Sequence, residues 1–291
     1  MNSNDTLQRF IFEQVPIRGE IVRLNATWQA VLERRDYPPP VRTLLGEIMV
    51  AAALLAATIK FSGSLIMQVQ GDGPVPLLVV ECTSDNTLRA VAHWDDDVRP
   101  GPLADMLGDG RLVITVNPSE GTERYQGIVE LEGNSIAEAL ENYLTRSEQL
   151  DTRLWLAADD GQAAGMLLQR LPGSTDEDAD AWPRAVHLGT TLTRDELLAL
   201  PAPEIVHRLY HEEDIRLFES EPVSFRCSCS RDRVTLMLRM LGNEEIHDIL
   251  NEQGSVKVDC EFCGQHYELD SIDAELLFTA PVPAEMASTH H

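Results

Sequence analysis

The chain has 291 residues, room for about two domains, and its 43% hydrophobic content can bury a core, which excludes wholesale disorder. Aromatics make up only 5%, so Leu, Val, Ile, Ala and Met must fill most of that core. With 23 Lys and Arg against 48 Asp and Glu the net charge is −25, a surface that repels phosphate backbones and anionic headgroups and argues against nucleic acid or bare membrane as partners.

The N-terminus, MNSNDTLQRFIFEQVPIRGE, lacks a basic start, a continuous apolar stretch and a small-residue cleavage site. Residues 7–36 read as a strand or turn segment followed by a helix. Arg18-Gly19 breaks the first apolar stretch, and Trp28, Val31 and Leu32 then recur at helical spacing. Pro38-Pro39-Pro40 stops that helix and starts the next. The longest uncharged apolar run, Ile48 to Ile59, covers 12 residues; a bilayer needs roughly 20, so the run reads as a buried core helix. A cytoplasmic protein with reduced thiols is expected.

From Phe61 the period changes to that of strands. Leu65, Met67 and Val69 alternate with Ile66, Gln68 and Gln70, and Gly71-Asp72-Gly73-Pro74 turns the chain into Leu77 to Val80, a hairpin signature. Strand-like runs follow at Leu88–His93, Arg111–Val116, Arg124–Leu131, Arg153–Leu156 and Met166–Leu168, with a helix at about 135–148. The fold class expected is α+β, with residues 1–172 forming a domain of helices packed on an antiparallel sheet.

Residues 173–222 read as an acidic, partly helical connector. Pro172-Gly173-Ser174-Thr175-Asp176-Glu177-Asp178 is turn-rich, and from Ser174 to Pro222 12 Asp and Glu stand against 4 Arg, a local net of −8. Thr193-Arg194-Asp195-Glu196 offers a capping box ahead of Leu197, Leu198 and Leu200, and a second short helix at about 202–211 carries Ile205, Val206 and Leu209. Apolar stripes on so charged a segment suggest weak docking onto a neighbour.

Residues 223–291 hold four of the five cysteines. After Cys227 and Cys229, a helix with Val234, Met237, Leu238 and Leu241 ends near Gly242, Asn243 is placed to cap a second helix with Ile246, Ile249 and Leu250, and Gly254 stops it. Val256, Val258, Tyr267 and Leu269 alternate around Cys260-Glu261-Phe262-Cys263-Gly264, a hairpin with a cysteine pair at its turn. The spacing is Cys-x-Cys, 30 residues, Cys-x-x-Cys-Gly, which suits tetrahedral Zn²⁺ coordination by four thiolates, one ion per chain. A disulfide between residues two apart closes a strained, labile ring, and both pairs can oxidise locally. Loss of zinc from so small a module removes on the order of 10 kcal/mol of folding free energy, so oxidation should unfold it.

Together with Gln70-Gly71-Asp72-Gly73-Pro74, Glu123-Arg124-Tyr125-Gln126-Gly127, Arg146-Ser147-Glu148-Gln149, Gly165-Met166-Leu167-Leu168-Gln169 and Arg208-Leu209-Tyr210-His211-Glu212-Glu213, these cysteines resemble the 33 kDa heat-shock chaperonins, redox-regulated molecular chaperones of the bacterial cytoplasm. The resemblance covers nearly the whole chain. It implies an ATP-independent holdase rather than an enzyme. Reduced and zinc-bound, such a protein is an inactive monomer; oxidised, it loses zinc, unfolds its C-terminal module and connector, becomes a homodimer and holds unfolding client proteins. By the same resemblance the redox-active disulfides are Cys227–Cys229 and Cys260–Cys263. Release of the connector would then expose Leu197, Leu198, Leu200 and Leu209 to clients while its acidic residues keep the complex soluble.

Rival readings are weaker. A zinc ribbon for nucleic acid lacks a phosphate footprint, since Val223 to His291 carry 5 basic and 12 acidic residues. A thiol–disulfide oxidoreductase needs Cys-x-x-Cys at a helix start, not in a hairpin. His207 and His211 are four apart, but Arg208 stands where a zinc hydrolase motif needs Glu, so they read as helix-surface residues. His266 could replace a thiolate, but four cysteines already fill the site. Cys82 reads as a core thiol, and His290-His291 as a mobile end.

Overall fold

The structure, a computed structural model, describes residues 5–119, 124–172, 178 and 180–279. Met1 to Asn4, Glu123, Gly173 to Glu177 and His290-His291, all named above, lie outside these. Residues up to Arg226 form one compact unit and those from Cys227 a second.

The first unit starts with strands β1 (Thr6–Phe12) and β2 (Ile17–Leu24) and helices α1 (Ala26–Leu32) and α2 (Pro39–Thr58). Strands β3 (Gly63–Gln70), β4 (Leu77–Thr83) and β5 (Thr87–His93), helix α3 (Leu103–Leu107), and strands β6 (Arg111–Pro118) and β7 (Tyr125–Glu130) follow. Then come α4 (Ile136–Arg146), β8 (Thr152–Ala158), β9 (Ala163–Arg170), and the connector helices α5 (Ala181–Gly189), α6 (Arg194–Ala199) and α7 (Ala202–Tyr210). Three short strands, β10 (Ile215–Leu217), β11 (Glu221–Pro222) and β12 (Ser224–Phe225), close the unit. The fold is α+β, as its periodicities predict.

Two sheets result. One runs β10-β1-β2-β9-β8, with β11 also on β1; the other runs β12-β5-β4-β3-β6-β7. All pairs are antiparallel except β12 with β5. The expected hairpin is β3–β4, with Gln70 opposite Leu77. Its Gly71-Asp72-Gly73 turn has a packing role: a Cβ on Gly71 would lie 1.9 Å from the Leu107 carbonyl oxygen.

Helix α2 is apolar nearly all round because it is covered nearly all round. Leu44, Leu45, Ile48, Met49 and Leu54 meet Val22, Leu154 and Leu167 of the first sheet and Leu65, Met67, Leu78 and Val80 of the second in one cluster. By length and composition α2 could cross a bilayer; here it is buried.

Successive side chains of a strand point to opposite faces, so the first sheet carries a second cluster. Phe10, Phe12, Ile17, Ile21, Met166 and Leu168 pack against Leu197, Leu198, Ile205, Val206, Leu209 and Tyr210 of the connector helices. Full burial of a Leu or Ile contributes about 1.5–3 kcal/mol, so this docking is more substantial than the charged composition suggests. Thr193 and Glu196 form the expected capping box of α6. Arg23 of β2 donates to the carbonyl oxygen of Leu198 at 2.9 Å and to that of Leu200. Arg184 pairs with Glu213 at 2.7 Å, and Arg208 with Glu196 at 2.9 Å.

The second unit contains α8 (Arg231–Leu241), α9 (Asn243–Gln253), the hairpin β13 (Val256–Asp259) and β14 (His266–Leu269), and α10 (Ser271–Thr279). Its core is small: Val234, Leu238, Ile246, Val256, Leu269, Ala274 and Leu277. One expectation is corrected. Asn243 is the first residue of α9, not its cap; Gly242, at φ +94°, occupies the cap position and turns the chain directly out of α8.

Candidate metal centre

The two cysteine pairs come from two kinds of local structure. Cys227 and Cys229 lie in the segment leading into α8, where the Ser230 side chain caps the helix by accepting from the Arg233 amide. Between them, Ser228 Oγ accepts from Arg233 Nη1 at 2.6 Å, which ties the segment to the first turn of α8. Cys260 and Cys263 occupy the turn between β13 and β14. The Cys260 amide donates to Gln265 O at 2.9 Å, the Gly264 amide donates to Cys260 O at 2.7 Å, and Gly264 takes φ +71°, a conformation that glycine adopts without strain. Cys-x-x-Cys thus stands at a hairpin knuckle and not at a helix start.

All four are half-buried thiols outside any disulfide, and their sulfurs lie within 4.8 Å of one another. The Cys227 and Cys260 sulfurs are 3.6 Å apart, and those of Cys229 and Cys263 3.3 Å. Four ligands at about 2.3 Å from a tetrahedral ion stand roughly 3.8 Å from each other, so the group has the dimensions for a metal ion. Among the described residues no other set of three or more Cys, His, Asp or Glu is so arranged.

The electrostatics agree. Burial, followed by contacts with the Cys229, Cys227 and Cys260 sulfurs, pushes the Cys263 thiol up to about 12, while the Gln265 amide pulls it down. Burial also raises Cys260, against the Cys263 and Phe262 amides that donate to its sulfur. The knuckle amides are aimed at the Cys260 and Cys263 sulfurs, and a cation beside these two would favour the thiolates that burial opposes. The donor set fits a soft or borderline divalent metal.

Tyr267 is the residue that sequence reasoning missed. Its hydroxyl donates to Cys229 Sγ at 3.2 Å, and this contact raises its own pKa to about 12. In the sequence it is only an alternating strand position; its place opposite Val258 in the hairpin register is what brings it to the sulfurs. His266 does not join the group, since its Nδ1 lies 2.7 Å from Asp259 Oδ1. His207 is exposed on α7 and His211 at its C-cap, and Cys82 is buried on β4.

The model of the Hsp33 protein family matches residues 5–270. The chain belongs to the Hsp33 family. It is 52% identical over 291 residues to the 33 kDa chaperonin of Nitrosococcus oceani, covering 100% of both chains. It is also 52% identical over 293 residues to the 33 kDa chaperonin of Chromobacterium violaceum, with 100% of this chain and 99% of that one covered. The crystal structure of the Thermotoga maritima 33 kDa chaperonin superposes with a TM-score of 0.81 over 94% of this chain and 97% of that one; at 21% identity it bears on the fold. Membership places the chain among chaperones.

Proposed function

We propose that the protein is a redox-regulated, ATP-independent holdase of a reducing cytoplasm, switched by Cys227, Cys229, Cys260 and Cys263. Reduced, the four thiols hold one Zn²⁺ and the chain is an inactive monomer. The observation that carries this reading is the meeting of four cysteine sulfurs within 4.8 Å in a unit with seven buried core residues among those described. A bound zinc ion supplies the cross-link that so small a core lacks.

Oxidation withdraws the donors. In each pair two thiolates would give two electrons to hydrogen peroxide, which takes two protons from solvent and leaves as two waters, while a sulfur–sulfur bond forms and the metal loses two donors. The family resemblance favours Cys227–Cys229 and Cys260–Cys263 as the products; the sulfurs are close enough that either pairing needs only local movement. Without its donors the C-terminal module of 223–291 unfolds, the connector of 173–222 releases, and the dimeric chain binds the exposed apolar segments of unfolding proteins. No nucleic acid or membrane enters this cycle.

Peroxide with mild heat is expected to release about one zinc per chain and to reduce light scattering from an aggregating client. Protection by an oxidised chain that keeps its metal would overturn the mechanism. Turnover in an insulin-reduction assay would point instead to a thiol–disulfide oxidoreductase, a reading that the hairpin position of Cys260 and Cys263 disfavours.

A further inference from the structure

One pair of metal-ligating side chains lies outside the cysteine group. His207 in the last turn of α7 and His211, its C-cap residue, stand four positions apart with helical backbone, both exposed, with ring centroids 5.9 Å apart and planes at 62°. Their neighbours suit a cation. Glu204, one turn before His207, is exposed, and the Glu212 carboxylate lies 4.0 Å from His211 Nε2. Arg208, the nearest positive charge in sequence, pairs with Glu196 at 2.9 Å.

Two imidazoles bound at 2.0–2.1 Å to one tetrahedral ion put their nitrogens about 3.3 Å apart and their ring centres about 5 Å apart. The rings of His207 and His211 need approach only by roughly 1 Å, within reach of side-chain rotation. Imidazole suits zinc, nickel and copper. We propose that His207 and His211 form a second, weaker site for a divalent transition-metal ion, and that an ion bound there clamps helix α7.

The clamp follows from linkage. The two rings face one ion only while the last turn of α7 and its C-cap His211 keep their helical backbone, so the ion binds the folded helix end and not the released connector. At a hundred times its dissociation constant it shifts that equilibrium about 100-fold toward the helix. The opposite face of α7, with Ile205, Val206, Leu209 and Tyr210, packs on β1, β2 and β9. Holding α7 helical therefore holds the connector in place. The binding stands apart from the holdase reading; its effect on activation rests on that reading.

The test uses the full chain with one equivalent of Zn²⁺ already on the cysteines. Titration with NiCl₂ should show one further ion per chain, and hydrogen exchange over residues 202–211 should slow with nickel. In H207Q/H211Q, whose changes lie on the exposed helix face, affinity should fall at least tenfold and the slowing should vanish. H290Q/H291Q should behave as wild type. Nickel binding unchanged in H207Q/H211Q, lost in H290Q/H291Q, or accompanied by release of the cysteine-bound zinc overturns the site. If nickel binds and slows exchange as expected, yet peroxide activation is equally fast with and without it, the site stands and the connector's role in activation fails.

Discussion

The Tyr267 hydroxyl donates to the sulfur of Cys229 at 3.2 Å, joining β14 to the segment before α8. This hydrogen bond fixes the position of one of the four sulfurs that meet at the metal centre. Residues that orient or charge-balance ligands from outside the first layer typically account for 10–100-fold in metal affinity. Tyr267→Phe should therefore weaken zinc binding by about tenfold in competition with a chromophoric chelator, with the reduced module still folded when saturated. Unchanged affinity would leave the tyrosine a packing residue.

Arg23 ties the connector to the first sheet through the carbonyl oxygens of Leu198 and Leu200. Arg23→Met keeps the aliphatic stem and removes the donors. A hydrogen bond involving a charged group contributes about 1.5–3 kcal/mol, and partial exposure of Arg23 places this one at the lower end. Amide protection over residues 194–210 should fall by about tenfold, while protection of α2 stays at the wild-type level.

Glu20 sets a pH dependence. It is 2% exposed on β2, and its Oε2 has no hydrogen-bond partner among the described residues. Burial pushes its carboxyl up to about 7, Arg18 and Arg9 draw it down, and Glu221 of β11 pushes it up. Because the folded value lies above the unfolded one, its contribution to stability is complete below about pH 4.5 and is lost as pH rises through 7. The shift corresponds to on the order of 3 kcal/mol. Glu20→Gln cannot ionise, so denaturant midpoints of the variant should exceed wild type at pH 8 and approach it at pH 5. Parallel pH curves would refute this.

Cys82 should not react. It is 1% exposed, and burial, with a smaller contribution from Glu81, pushes its thiol up to about 12. Alkylation of the native, chelator-treated chain should label four cysteines, and the fifth only in denaturant. Rapid native labelling of Cys82 would contradict its place in the core.

Much of this architecture is legible in the sequence because the cues are local. The Gly71-Asp72-Gly73-Pro74 turn, the capping box at Thr193 and the alternation of Leu65, Met67 and Val69 each act within a few residues. Elements without such cues are not legible. In α5, Pro183 in the first turn is tolerated by a helix yet reads as a break. In α10, Leu276, Leu277 and Phe278 run together and blur any stripe, although Ala274 and Leu277 are buried and Leu276 and Phe278 exposed. Strands β10, β11 and β12 have two or three residues and exist through partners more than 130 positions away, as Glu221 opposite Leu7 shows. At the metal centre, cysteine spacing announces the four sulfurs, whereas Tyr267 enters through hairpin register and His266 is kept out by Asp259.

The strand β1 has a consequence that reaches the whole molecule. Leu7 points into the cluster around α2, while Phe10 and Phe12 point the other way, under the connector helices. One sheet thus serves as a bulkhead between two oily compartments. Stripping away its outer cover floods only one of them: the aromatic floor of Phe10, Phe12 and Tyr210's former seat meets solvent, while the sealed compartment keeps the frame rigid. A chain built this way could surrender three of its ten described helices and still offer a firm, presentable plate.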